Sequence, residues 1–376
     1  MMGGYSEWLK SQAKCGVTQP LSSRVESNDE DYLRTQGYEK LGWRHFRRQV
    51  QFAFSGQKKY LAYKVRPGWK KALWLYKGIP QIGDALMDLA PRSLLREQGF
   101  SIDLFTDTHL AAMFKNDPWL SQVWDDPRSI ASENYDFVIV PSHKNRSLKH
   151  KAQLVAHLPW VSMQGFYTGP EFHRGKFATQ RLIDLLDCKS TEAEFFRHQQ
   201  QKLKPLDALK SSAGKAPKIA LALGGVDAAR TYGHWLSVAE KLFQAERGIE
   251  LTLLGSSNAV EAARAFMHKF PHPQNVFDRV NKTDITECRR LIGAQDLLIA
   301  ADGGLMHLGA TTTAKLVSLF HKEVDPRWRL SGRCLEFALQ SSTGTVNDVG
   351  AGAIFKACSD ALADNRRSPV DRSLPA

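Results

Sequence analysis

No run of apolar residues approaches the roughly 18 to 20 needed to cross a bilayer, and the opening MMGGYSEWLKSQAK lacks the apolar stretch of a secretory signal. A cytosolic protein is the expectation. Cysteine is scarce and scattered. The five residues (Cys15, Cys188, Cys288, Cys334 and Cys358) are odd in number and form no CxxC pair, which argues against a disulfide framework and for buried, reduced thiols. HExxH motifs and Cys/His clusters are absent too, so no metal site is expected. The last deficit is of acidic residues in one place: from Lys40 to Lys77 there is no Asp or Glu against eleven Lys and Arg, which accounts for nearly all of the net charge of +12.

That basic stretch is also aromatic, with Trp43, Phe46, Phe52, Phe54, Tyr60, Tyr63, Trp69, Trp74 and Tyr76. On a helix, Trp43, Phe46, Val50 and Phe54 fall in one narrow arc while Arg44 and Arg48 point away, with Phe52 the one large residue out of place. An amphipathic basic helix is predicted, and two readings of it stand. Residues 43–77 attach to an anionic membrane surface, where each Lys or Arg near the headgroups contributes about 1 kcal/mol, or the helix packs on the body of the protein and its basic face is solvated. Nucleic acid is not expected as a partner, because no nucleic-acid module accompanies the charge.

A length of 376 residues exceeds what one hydrophobic core tends to hold, and 43% hydrophobic with 24% charged residues is the composition of a folded chain. Residues 1–70 are predicted to be an N-terminal extension, loosely ordered over 1–40. From Lys71 apolar strand-like runs alternate with helical stretches: ALWLY, then KGIPQIGD and ALMDLAPRSLLREQ, then SIDLFTD and YDFVIVP. This predicts a first domain over 71–205. A Pro-, Ser- and Gly-containing segment at 206–217 reads as a linker. The alternation restarts with KIALALGG, HWLSVAEKLFQAE, IELTLLGSS, NAVEAARAFMHKF and DLLIAADGGLMHLGATTT, predicting a second domain over 218–363 and a disordered tail over 364–376. The fold class is α/β, two tandem Rossmann-like domains facing across a cleft.

Chemistry is expected at the strand ends. In LLIAADGGLMHLGATTT an apolar strand runs into Asp302, Gly303 and Gly304 just as a helix begins, so unpaired N–H groups and the positive end of the helix dipole favour an anion such as phosphate. Asp302 is placed to accept hydrogen bonds from sugar hydroxyls. His307, a turn later, reads on its own as a packed core histidine before it reads as a ligand-binding group. Asp84 lies at the first strand-to-helix junction, as a general base or as a helix cap. The turn after KIALAL offers Gly224 and then Arg230, which neutralises phosphate or is merely solvated.

Together these segments resemble glycosyltransferase family 9, the heptosyltransferases of lipopolysaccharide core assembly. IGDALMDLAPRSLLREQGFSIDLFTD is similar to the family's GD-x-L turn, helix and second strand, and QDLLIAADGGLMHLGATTTAKLVSLF to its D-[ST]-G-x-x-H-x-A-[AG] block and following strand. The likeness runs from residue 71 to about 360. It implies a GT-B arrangement, with an acceptor domain before a donor domain, and metal-free inverting transfer from ADP-heptose or a related nucleotide sugar to a lipopolysaccharide core or lipid A acceptor. The enzyme would be cytoplasmic, peripheral on the inner face of the bacterial inner membrane if the basic helix binds lipid. Residue by residue, Asp84 corresponds to the family's base, and Asp302, Gly303, Gly304, Leu305 and His307 to its phosphate- and sugar-binding turn. Arg230, followed by Tyr232 and Gly233, stands nearest its phosphate-contacting Lys, and Arg146 and Ser147 match its Lys-Ser step of acceptor contacts, with Lys144 beside them a further cation for an acidic acceptor. Ser257, Asn258 and Glu261 are nucleotide-contact candidates. Gly303 departs from the family's Ser or Thr, Arg230 from its Lys, and TTTAK from its small-residue run. Transfer or epimerisation of another nucleotide sugar, or a binding homologue without catalysis, are the alternatives.

Overall fold

The computed structural model describes residues 2–206 and 216–367. The chain divides into two compact units, Met1–Lys204 and Pro205–Ala376.

The first unit is built on five parallel strands: β1 (Lys71–Tyr76), β2 (Ser101–Thr106), β3 (Gln122–Trp124), β4 (Phe137–Val140) and β5 (Trp160–Ser162), in the order β3-β2-β1-β4-β5. β1 is buried along its length after Lys71, as a central strand covered on both faces must be. Its start is pinned by Asp136, whose carboxylate accepts from the Lys70 and Lys71 N–H groups at 2.8 and 2.9 Å. The second unit repeats the plan with β6 (Lys218–Ala222), β7 (Glu250–Leu254), β8 (Val276–Asp278), β9 (Leu297–Ala301), β10 (Lys315–Phe320) and β11 (Phe337–Gln340), ordered β11-β10-β9-β6-β7-β8 and again parallel. Asp296 pins β6 as Asp136 pins β1, accepting from the Lys218 N–H at 2.9 Å. Both orders reverse direction next to the unit's first strand, between β1 and β4 and between β6 and β9. Loops at the carboxyl ends of those strand pairs are where such sheets bind ligands.

The N-terminal segment differs from expectation. Residues 1–40, predicted to be loosely ordered, form α1 (Met2–Val17) and α2 (Asp29–Gln36), and the basic helix is α3 (Tyr38–Phe54). Ala13, Val17, Leu33 and Leu41 close a small core among them, and a Cβ on Gly42 would overlap the Leu9 carbonyl. Polar composition hid this because the apolar residues are few and shared among three helices. The segment is stitched to the first unit by Thr168 N–H donating to Gly16 O and by Ala62 N–H donating to Trp160 O, both at 2.8 Å. The first unit therefore begins before residue 71.

The remaining helices of this unit are α4 (Ile82–Asp88), α5 (Arg92–Glu97), α6 (Thr108–Phe114), α7 (Asn145–Val155), α8 (Arg174–Leu186) and α9 (Glu192–Gln199). The second unit adds α10 (Trp235–Ala245), α11 (Val260–Lys269), α12 (Ile285–Gly293), α13 (Gly304–Ala310) and α14 (Ala351–Arg367). α14 corrects the expected tail: the chain stays helical past Asp364 to Arg367, continuing a helix anchored by buried Ile354, Cys358 and Ala361. Residues 207–215 of the expected linker and 368–376 of the tail lie outside the described residues. The cysteines are free, but only Cys288, Cys334 and Cys358 are buried. Cys15 is exposed on α1, against expectation, because it lies on the side of that helix away from Ala13 and Val17.

Candidate active site

In the second unit β9 ends at Ala301 and α13 begins at Gly304, with Asp302 and Gly303 between. Asp302 is buried, and its N–H donates to Leu319 O at 3.0 Å, fixing the turn to β10. Around its carboxylate stand three cationic or ionisable groups at similar range: Arg230 Nη1 at 3.6 Å, Arg329 Nε at 3.6 Å and His307 Nε2 at 3.7 Å. These contacts are longer than hydrogen bonds, and Asp302 Oδ2 has no hydrogen-bond partner among the described residues. Such a cage concentrates positive charge beside the first N–H groups of a helix, which have no partner within it. His307 is buried one turn into α13 and joins the cage rather than the apolar core. Gly303 has an extended backbone, and a Cβ there would meet only Ala301 O at 3.7 Å.

Arg230 arrives from the turn after β6, next to β9 in the sheet. That turn needs Gly224: its φ is +79°, and a Cβ would lie 2.9 Å from the Ala259 Cβ. Asn258 holds the turn from below, its Nδ2 donating to Gly225 O at 2.7 Å. Tyr232 is buried and donates to Val349 O at 3.1 Å, and the Gly233 N–H donates to Asn347 Oδ1 at 2.7 Å. Ser257 is exposed beside Asn258, whereas Glu261 points to Arg264 in a surface ion pair of 2.7 Å.

In the first unit, Asp84 lies inside the first turn of α4, whose N-cap is Gln81. Its carboxylate is partly exposed and stands 3.2 Å from Arg174 Nη1. Arg174 is itself held by Asp88, with Nε and Nη2 donating at 2.9 and 2.5 Å, and Asp88 also accepts from the buried Tyr76 hydroxyl at 3.0 Å. Burial opposes the guanidinium charge, but the carboxylates of Asp88 and Asp84 outweigh it and raise the Arg174 pKa above its ordinary value.

Across the switch from β1, the loop after β4 brings Lys144, Arg146 and Ser147. Arg146 lies over Gly78, whose absent Cβ would be 2.9 Å from the Arg146 Cδ. The Lys144 ammonium is held below its ordinary pKa by desolvation and by the nearby positive charges of Arg48, Arg174 and Arg146. Ser147 is buried in the first turn of α7. The first unit thus gathers cations around its switch point, next to one partly exposed carboxylate.

Arg174 and Arg329 did not emerge from the sequence. Arg174 precedes a helix far from the glycine turns, and Arg329 is one of three arginines in PRWRLSGR with no pattern to single it out. Among the described residues no group of three or more His, Cys, Asp or Glu is arranged to hold a metal ion.

Residues 173–347 match the family model of glycosyltransferase family 9 (heptosyltransferase), a span that includes Arg174, Arg230, Asp302, His307 and Arg329 but not Asp84. No curated protein sequence matches. Among solved structures, a glycosyl transferase family 9 protein from Veillonella parvula is 14% identical with a TM-score of 0.61, covering 80% of this chain and 99% of its own. ADP-heptose lipopolysaccharide heptosyltransferase II of E. coli is 14% identical with a TM-score of 0.59, covering 79% and 99%. The iron-containing dodecameric glycosyltransferase TibC of enterotoxigenic E. coli is 11% identical with a TM-score of 0.51, covering 80% and 78%. These structures share the fold, two Rossmann-like units of GT-B type. Over residues 173–347 the chain is similar to glycosyltransferase family 9, and over about four fifths of its length it shares the fold of solved members of that family.

Proposed function

We propose that the protein is an inverting, metal-independent heptosyltransferase that moves a heptose from ADP-heptose to a lipopolysaccharide core acceptor at the cytoplasmic face of the membrane. What carries the reading is the cage at β9–α13. Asp302 is buried with Arg230, Arg329 and His307 within 3.7 Å, beside the unpaired N–H groups of Gly303 to Leu305. A nucleoside diphosphate bound there gains the two guanidinium groups and the amides as its charge grows on leaving, while Asp302 takes hydrogen bonds from sugar hydroxyls. One such preorganised donor is worth roughly 3 to 4 kcal/mol in enzymes that stabilise a developing oxyanion, and two arginines supply the charge a divalent ion would otherwise bring. Asp84 removes the proton from the acceptor hydroxyl, which attacks the anomeric carbon opposite the departing diphosphate. Arg174 holds that carboxylate in place. Lys144 and Arg146 suit an acidic acceptor, such as a sugar carboxylate or phosphate of the core.

The test is release of free nucleoside diphosphate from ADP-heptose and, separately, from UDP-sugars, with EDTA present, on adding lipopolysaccharide core. ADP release that depends on the core and survives EDTA supports the reading. Release only from a UDP-sugar reassigns the donor, loss with EDTA overturns the metal independence, and donor binding without release identifies a binding homologue. Asp84→Asn should leave donor affinity nearly intact and lower transfer by roughly 10²- to 10⁴-fold.

A further inference from the structure

The sequence pattern places the apolar arc of α3 at Trp43, Phe46, Val50 and Phe54, yet the helix docks by other residues. Leu41, Gly42, His45 and Phe52 are buried, and Phe52, the residue that fits the arc least, stacks on His143 at 4.8 Å with its edge toward Trp160 and Phe166. The arc itself faces solvent: Trp43 is 53% exposed and Phe54 87%. α1 extends it, because Tyr5, Trp8, Phe46 and Trp43 form a continuous ladder of rings with successive centroids 6.1, 5.0 and 5.5 Å apart. Lys40, Arg44 and Arg47 line a groove of about 460 Å³ together with Trp43, Phe46 and Val50. None of these three cations is in an ion pair among the described residues.

Exposed rings interleaved with uncompensated cations are poorly matched to water and well matched to a bilayer interface, where rings enter between headgroups and the charges meet anionic lipid. We infer that the α1–α3 face is a membrane-docking surface for anionic lipid, which seats the first unit on the bilayer carrying the acceptor. The surface stands on its own geometry; its purpose rests on the acceptor proposed above. Residues 43–77 do not act as one surface, since Trp74 and Tyr76 are buried in β1 and Trp69 stacks on Phe137 at 5.1 Å. The docking face is instead residues 40–54 of α3 with Tyr5 and Trp8 of α1.

Flotation of the full chain with phosphatidylglycerol-containing or pure phosphatidylcholine vesicles, without sugar nucleotide or acceptor, tests this. The protein should float with the anionic vesicles, far less with the neutral ones, and less in high salt. Replacing Lys40, Arg44 and Arg47 together by Gln should weaken partition roughly 100-fold, about 5-fold for each charge. Trp43→Ser with Phe54→Ser should weaken it as well, and this separates a bilayer from a nucleic acid or any other polyanion that reads charge alone. Lys40, Arg47, Trp43 and Phe54 are exposed and Arg44 is half-buried, so both variants should keep close to the wild-type melting temperature and turnover of a soluble, delipidated core acceptor. Equal flotation with both vesicle types, no flotation with either, or unchanged flotation of the ring variant overturns the inference. Because binding is read without turnover, failure of the transferase reading would leave this result interpretable.

Discussion

Two glycines in the second unit carry opposite expectations. Gly224 lies in left-handed backbone with the Ala259 Cβ closing its open side, so Gly224→Ala should cost about 2 kcal/mol in denaturant unfolding of the second unit and loosen the Arg230 turn. Gly303 is extended, with room for a side chain, so Gly303→Ser should stay within about 0.5 kcal/mol of wild type. A large loss for the serine would mean that the turn tolerates no side chain and that the departure from the family's Ser or Thr is structural. Arg329→Gln removes one of the two arginine guanidinium groups beside Asp302. Loss of a charged hydrogen bond of about 1.5 to 3 kcal/mol should raise the donor KM at least about 10-fold; an unchanged KM would remove Arg329 from the donor site. Sequence reasoning reached Arg230 because a glycine turn announces it. Its partner was hidden because Arg327 beside it pairs with Asp325, Arg333 turns back to Thr312 O, and only folding distinguishes the arginine between them.

Helix α3 separates what periodicity tells from what packing decides. Its presence was legible, since spacing every three to four residues needs no tertiary information, but the face it buries was not. The apolar arc counts more large residues, whereas the docked face is chosen by the aromatic socket of His143, Trp160 and Phe166, which the chain assembles from distant strands and loops. Phe52→Ala should therefore cost about 3 kcal/mol in unfolding of the first unit, and Phe54→Ala, two residues on, close to nothing. Comparable losses at both positions would mean that the exposed face is covered in solution. The long strands β1, β2, β6, β7 and β9 were readable as apolar runs, as was the Asp302 turn that ends β9. The three-residue strands β3, β5 and β8 were not, because three residues hold no period, and their pairing is imposed by neighbours already in the sheet.

At the scale of the whole chain, the two units should respond differently to mild acid. In the first unit burial pushes His143, His173 and His198 each down to about 4, from an ordinary value near 6.5. The folded unit keeps these rings neutral while the unfolded chain protonates them, so between pH 6.5 and 4 the unfolded state binds more protons and stability falls as pH falls. His143 alone, packed among Phe52, Trp160 and Phe166 with Arg181 adding its charge, should contribute a loss of about 2 kcal/mol by pH 5. In the second unit, carboxylates such as Glu287 and Asp325 are held below their ordinary range by hydrogen bonds from Arg290 and Arg327. Their stabilisation is complete above the unfolded carboxylate pKa and fades only as pH drops through about 4. Hydrogen exchange followed by mass spectrometry, corrected for intrinsic rates, should show protection of β1 and β4 falling between pH 7 and pH 5 while that of β6 and β9 holds. Restoring a neutral residue of similar shape with His143→Phe should flatten the response of the first unit. A parallel loss in both units, or no change on removing His143, would mean that the buried histidines of the first unit do not set its acid sensitivity.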